Sequence, residues 1–188
     1  MRSWGQLFFR LSCASLSLVI AGGLGLSGPT AAQESKPELE FMGQFYAPLD
    51  APQVVAGDLF IYNVATDREG WFKGPKLNAK PVAPCADWLQ LQPDGNFWLD
   101  VRCTLKTDDD ALIYLEYSGV IDWGEKIAEK CNGGGEFTGS EMYFRVNPKF
   151  QTIAENYAWL NSVQAVGTMT AVKCGEDSYV QYDIYAVK

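Results

Sequence analysis

Histidine is absent from this 188-residue chain. Without it there is no Ser-His-Asp or Cys-His nucleophile, no histidine zinc site and no two-histidine iron triad. The five cysteines include no CxxC pair, which argues against a thiolate zinc or dithiol redox site. The run Asp108-Asp109-Asp110 lacks the glycine and terminal glutamate of a calcium loop, and reads as turn chemistry. Gly133-Gly134-Gly135 does not follow a strand in a βαβ context, so it is a poor phosphate cradle. No metal and no cofactor is expected. Basic residues are also scarce: 15 Lys and Arg stand against 23 Asp and Glu, a net charge of −8. Such a chain repels nucleic acid and anionic lipid, so no nucleic-acid partner is expected.

The N-terminus reads as an export signal. Arg2 and Arg10 are followed by an uncharged apolar run from Leu11 to Leu26, then by the small residues Thr30-Ala31-Ala32. Cleavage after Ala32 leaves residues 33–38 as a flexible terminus and 39–188 as one domain. Arg10 stands where a lipobox needs an aliphatic residue, so Cys13 is a poor lipidation site. No second apolar span follows, so no stable membrane insertion is expected, and the location is periplasmic or secreted. The oligomeric state is left open.

From Leu39 onward, runs rich in Val, Ile, Tyr, Phe, Trp and Thr recur between Gly, Pro and Asp clusters. Strands are expected at 39–46, 53–64, 87–91, 97–105, 112–120, 141–146, 163–172 and 179–187. About eight antiparallel strands joined by short turns suggest an all-β, closed, up-and-down barrel, an arrangement that leaves no exposed sheet edge. One short helix is expected from Asp122 to Lys130, capped by Asp122 and Glu125 and ended by Asn132-Gly133. Short helical character is also expected at 155–160.

Four cysteines survive processing, and an even count in an exported chain suggests two disulfides. The turn Gln92-Pro93-Asp94-Gly95-Asn96 pairs Gln92 with Asn96, so opposed residues carry numbers that sum to 188. Cys85 then faces Cys103, leaving Cys131 for Cys174. A second turn at Asp108-Asp109-Asp110, with Asp110 left-handed, places Arg102 opposite Glu116 and Thr104 opposite Tyr114.

Between Trp98 and Lys106 the side chains alternate cleanly. Trp98, Asp100, Arg102, Thr104 and Lys106 share one face, and Leu99, Val101, Cys103 and Leu105 the other. Charged strand faces are usually solvated. Large aromatics at matching phase (Trp98, Tyr114 and Tyr143, beside Arg145) turn the expectation toward a lined lumen, because such rings are costly to scatter in water. On that reading Asp100 and Glu116 are candidate proton-transfer groups, since a carboxyl in an apolar cavity can be raised toward neutrality. Arg102 and Arg145 are candidate anion holders. Trp88, Tyr117, Tyr143, Trp159 and Asn161 complete the candidate ligand set. The same charges also read as structural ion pairs.

Several phrases stand in a telling order: Gly74-Pro75-Lys76-Leu77-Asn78, Ala86-Asp87-Trp88, Asp100-Val101-Arg102, Thr107-Asp108-Asp109, Glu116-Tyr117-Ser118-Gly119, Tyr143-Phe144-Arg145 and Tyr157-Ala158-Trp159-Leu160-Asn161. Together they resemble the uncharacterised bacterial family called domain of unknown function 3237, across roughly 39–187. The resemblance implies a closed antiparallel barrel with a pocket and no settled activity. Relative to that pattern, Cys85 replaces a glycine, Cys103 a common tyrosine and Lys76 an arginine. Three functional readings follow. The first is an exported barrel that binds a small, partly aromatic or anionic molecule in its lumen. The second is a cofactor-free isomerase or cyclase using a carboxylate base with arginine and tyrosine support. The third is a secreted interaction module built on the aromatic stretch 179–185.

Overall fold

The computed structural model describes residues 36–65 and 67–188; the export signal proposed for residues 1–32 lies outside them. Among the described residues twelve strands form: β1 (Leu39–Pro48), β2 (Gln53–Ala56), β3 (Leu59–Asn63), β4 (Trp71–Lys73), β5 (Asn78–Leu91), β6 (Phe97–Thr107), β7 (Leu112–Ile121), β8 (Glu136–Thr138), β9 (Phe144–Val146), β10 (Lys149–Gln151), β11 (Ala165–Lys173) and β12 (Tyr179–Val187). An α-helix, α1 (Glu125–Asn132), and a 3-10 segment (Glu155–Ser162) are the helical elements described. Eight strands close a ring in the order β1-β4-β5-β6-β7-β9-β11-β12 and back to β1, every pair antiparallel. The fold is therefore a closed up-and-down barrel, with β2–β3, β8 and β10 as short extensions of β5, β11 and β7. None of the described helices is long and apolar enough to cross a membrane.

Two tight turns set the register of the central sheet. Gly95 takes φ +87° in the first, where Gln92 N–H donates to Asn96 O at 2.8 Å. Asp110 takes φ +65° in the second, where Thr107 N–H donates to Ala111 O. The resulting partners include Cys85 with Cys103, Arg102 with Glu116 and Thr104 with Tyr114. Disulfides join Cys85 to Cys103 and Cys131 to Cys174. Closure also depends on small residues beside β9. A methyl group at Gly119 would lie 2.6 Å from Arg145 O, and one at Gly167 would lie 2.6 Å from Val146. Any side chain at either position would push β9 off its neighbours.

The expected strand at 53–64 is in fact a hairpin, turned at Gly57-Asp58. The first half of β5 is a strand although it carries Pro81 and Pro84. From Lys80 to Pro84 its far edge is unpaired among the described residues, since pairing with β4 ends at Ala79 and pairing with β3 begins at Ala86, so a missing N–H there costs little. The helix is capped by the backbone of Gly124 and not by the Asp122 side chain.

The apolar set of the barrel points inward. Leu99, Val101, Cys103 and Leu105 from β6 meet Phe45, Phe72, Ile113, Leu115, Phe144 and Tyr182 in one contiguous core. At about 25 cal/mol per Å² of apolar surface removed from water, this inward face is what decides the sidedness of every strand.

Candidate functional site

The charged face of β6 looks outward, which corrects the lined-lumen expectation. Asp100 and Arg102 pair with each other at 3.1 Å, their side chains 55% and 59% exposed. Tyr143 is 53% exposed, with the Arg145 guanidinium 4.7 Å from its ring centre. Trp88 is on the same outer wall, where Arg102 approaches its ring at 6.0 Å. Glu116 accepts from the Tyr114 hydroxyl on its own strand, at 3.1 Å. The physical reason is plain. Turning this face inward would bury several charges and at the same time expose Leu99, Val101 and Leu105, so both terms oppose it.

The two residues near the C-terminal phrase also lie away from the lumen. Trp159 borders a shallow hollow with Glu40 and Lys76, whose ammonium lies 5.8 Å from the indole. Asn161 clamps a turn: its Oδ1 accepts from Thr152 N–H at 2.8 Å and its Nδ2 donates to Thr152 O at 2.9 Å. Of the candidate ligand residues, Tyr117 alone faces the barrel interior, buried at 5% exposure.

A cavity of about 600 Å³ occupies the end of the barrel where β1, β3 and the β11–β12 turn meet α1. Its walls are largely apolar and aromatic, with Phe60, Leu89, Phe97, Leu99, Phe144 and Val180 among them. Trp123 covers one side, edge-on to Phe97 at 5.2 Å. The Cys131–Cys174 disulfide forms part of the rim and ties α1 to the β11–β12 turn.

Polar side chains gather at the base of this cavity. Asp87 on β5 is opposite Val101 on β6, which is opposite Tyr117 on β7, so the register lays these three in a row. Tyr117 meets Tyr182 of β12 across the lumen, edge to face at 5.9 Å. Tyr62 on β3 is opposite Asp87 and completes the group. Burial pushes the Asp87 carboxyl up to about 7; the Asp100 backbone N–H pulls it back and the Asp100 carboxylate adds to the rise. Burial likewise raises Tyr117 and Tyr182 far above the ordinary tyrosine range, so both remain neutral donors. Asp87 Oδ1 and the Tyr182 hydroxyl are shut off from solvent and lack a hydrogen bond of acceptable geometry, although Tyr117 lies near enough to Tyr182 to raise its proton affinity. Buried polar atoms left unpaired are rare, and each costs about 1–3 kcal/mol.

Asp87 was missing from the candidate set, yet the hairpin arithmetic contained it. If Cys85 faces Cys103, then Asp87 faces Val101 and shares the face of Leu99, Val101, Cys103 and Leu105. A lone carboxyl on an otherwise apolar strand face is the signal, and the more abundant charges on the opposite face masked it.

Known proteins share parts of this sequence and this fold. The chain is 28% identical over 99 residues to a UPF0311 protein of Rhodopseudomonas palustris, a match covering 53% of this chain and 65% of the relative. The matched stretch thus spans a little under two thirds of that relative's length. A conserved protein of unknown function, RPA1785 from Rhodopseudomonas palustris, has a similar solved structure, with TM-score 0.73, 22% identity, and coverage of 83% of this chain and 100% of that one. A β-barrel-like protein from Acinetobacter baumannii matches with TM-score 0.64 and 28% identity, over 83% of this chain and 99% of that one. Residues 37–187 match the family model described as Protein of unknown function (DUF3237), and with most of its length inside that match the chain belongs to this family.

Proposed function

We propose that this protein binds a small, uncharged, largely apolar or aromatic molecule in the barrel cavity, with a polar group of the ligand seated on Asp87 and Tyr182. The observation that carries the reading is the pair of unsatisfied buried oxygens at the base of an otherwise apolar cavity. Because both oxygens are closed to water, a ligand hydroxyl reaches them only as the side chains at the base shift; it can then donate to Asp87 Oδ1 or accept from the Tyr182 hydroxyl, relieving a penalty. The cavity is also within the size range of small-molecule sites. An anionic group fits poorly at the base, where ionised Asp87 would repel it; the lysine among the cavity walls, Lys173, is at the end of β11 next to the disulfide. Export of the protein is part of the proposal: two disulfides suit an oxidising compartment, in keeping with the N-terminal reading.

The test is a thermal-shift comparison of 2-naphthol with 2-naphthoate, on the parent and on Leu99→Trp, which fills the cavity. Stabilisation by 2-naphthol, absent for 2-naphthoate and lost in Leu99→Trp, is the expected result. Equal shifts in parent and Leu99→Trp would remove the cavity as the site.

A second reading has a specific observation behind it. A carboxyl raised to about 7 is populated in both protonation states near neutrality, which is what general acid–base chemistry needs. Asp87 then takes the role first given to Asp100 and Glu116, with the Tyr117 and Tyr182 hydroxyls as neutral donors to a developing oxyanion. Such a site would carry out a redox-neutral proton relocation in the bound molecule without a cofactor.

A further inference from the structure

The outer wall holds a second feature, unrelated to the cavity. Between β6, β7 and the start of β10 runs a shallow groove of about 170 Å³, walled by Asp100, Arg102, Glu116, Ser118, Asn147 and Lys149. Register builds it: Asp100 is opposite Ser118, and Arg102 and Lys149 are both opposite Glu116. Ser118 donates to Asn147 Oδ1 at 2.8 Å, which fixes the amide beside the groove. Two carboxylates and two cations share these walls, so their formal charges cancel.

Two tryptophans flank Asp100 just outside the groove's own walls. The β5–β6 pairing brings Trp88 beside Asp100, and Trp98 is two residues before Asp100 on the same face. Side chains in that diagonal relation stand about 7–8 Å apart. Trp98 is 57% exposed and has no aromatic or cation partner among the described residues; Trp88 is 38% exposed, is opposite Ile61 of β3, and has the Arg102 guanidinium 6.0 Å from its ring. Single exposed apolar residues are common on this barrel, but two neighbouring indoles beside a polar groove form a patch, and patches mark interaction sites.

The chemistry of the occupant can be read from these walls. An anion meets Asp100 and Glu116, and a cation meets Arg102 and Lys149. An apolar protein surface docking here would strip water from four charges at once. What fits is a ring with an apolar C–H face to lie on indole and hydroxyls at its edge to meet carboxylate, amide and guanidinium. We propose that this outer groove, with Trp88 and Trp98, is a binding site for a neutral oligosaccharide.

Screening the full chain on an immobilised glycan array that includes neutral and acidic glycans, then titrating the best neutral hit by calorimetry, tests the proposal. A neutral glycan should bind saturably, and Trp98→Ala and Trp88→Ala, both on the exposed wall, should each weaken it about tenfold. The cavity-filling variant Leu99→Trp should bind as the parent does, which separates this site from the lumen. The proposal is overturned if no neutral glycan binds, if acidic glycans bind as tightly, if both tryptophan variants retain parental affinity, or if Leu99→Trp abolishes binding.

Discussion

On one side of the Tyr117–Tyr182 contact the lumen is filled. Phe45, Phe72, Leu115, Val146, Phe150 and Ile184 leave no room there for a water molecule, and Phe72 meets Phe150 edge-on at 6.3 Å. On the other side the same strands enclose about 600 Å³, with an unpaired carboxyl oxygen and an unpaired hydroxyl at its base. Protein interiors normally pack as densely as organic crystals. The filled half has no water-sized space, whereas the hollow half departs from dense packing in volume and in polar satisfaction together. A barrel can tolerate such a departure when the other half supplies stability, and functional sites are where such departures concentrate.

The sharpest way to break this comparison uses one substitution in two places. Leu115→Ala in the filled half opens a new void and should cost about 4 kcal/mol, whereas Leu99→Ala widens an existing one and should cost about 2 kcal/mol. Urea denaturation of both variants decides it; equal losses would mean that the two halves are equally packed.

The next effect separates the halves by pH. Asp87 is raised from 3.8 to about 7 in the folded protein, so the folded state holds its proton more tightly than the unfolded chain does. Stability from this group is therefore complete below about 4 and is lost as pH rises toward 7, by at most about 4 kcal/mol. Asp87→Asn should abolish that slope and leave the variant more stable than the parent at pH 8. Glu40 and Glu141, held down to about 2 chiefly by hydrogen bonds from lysines, act in the opposite direction and only in the more acid range. A parent stability that does not fall between pH 4 and 7 would contradict the assignment.

Much of the fold was legible because turns and alternation are local. Gly95 and Asp110 each take a left-handed conformation that the surrounding residues announce, and those turns carry the register across β5, β6 and β7. Which face of a strand is wet is a different kind of fact. Alternation separates two faces without naming them, and the aromatics Trp98 and Tyr143 pulled the assignment the wrong way. The area of Leu99, Val101 and Leu105 outweighs them, and both rings remain exposed. The hollow itself was not legible, because it arises where β3, α1 and the β11–β12 turn meet, segments far apart in the chain. Asp87 was within reach: its register partner Val101 places it on the apolar face, where a carboxyl needs a reason to be.

The central claim is that Asp87 is a buried acid poised near neutrality at the base of an apolar cavity. Isotope-edited NMR of the Asp87 carboxyl carbon across pH 3 to 9, assigned through Asp87→Asn, measures this directly. A titration midpoint near 7 is the predicted result, and a midpoint near 4 would contradict it.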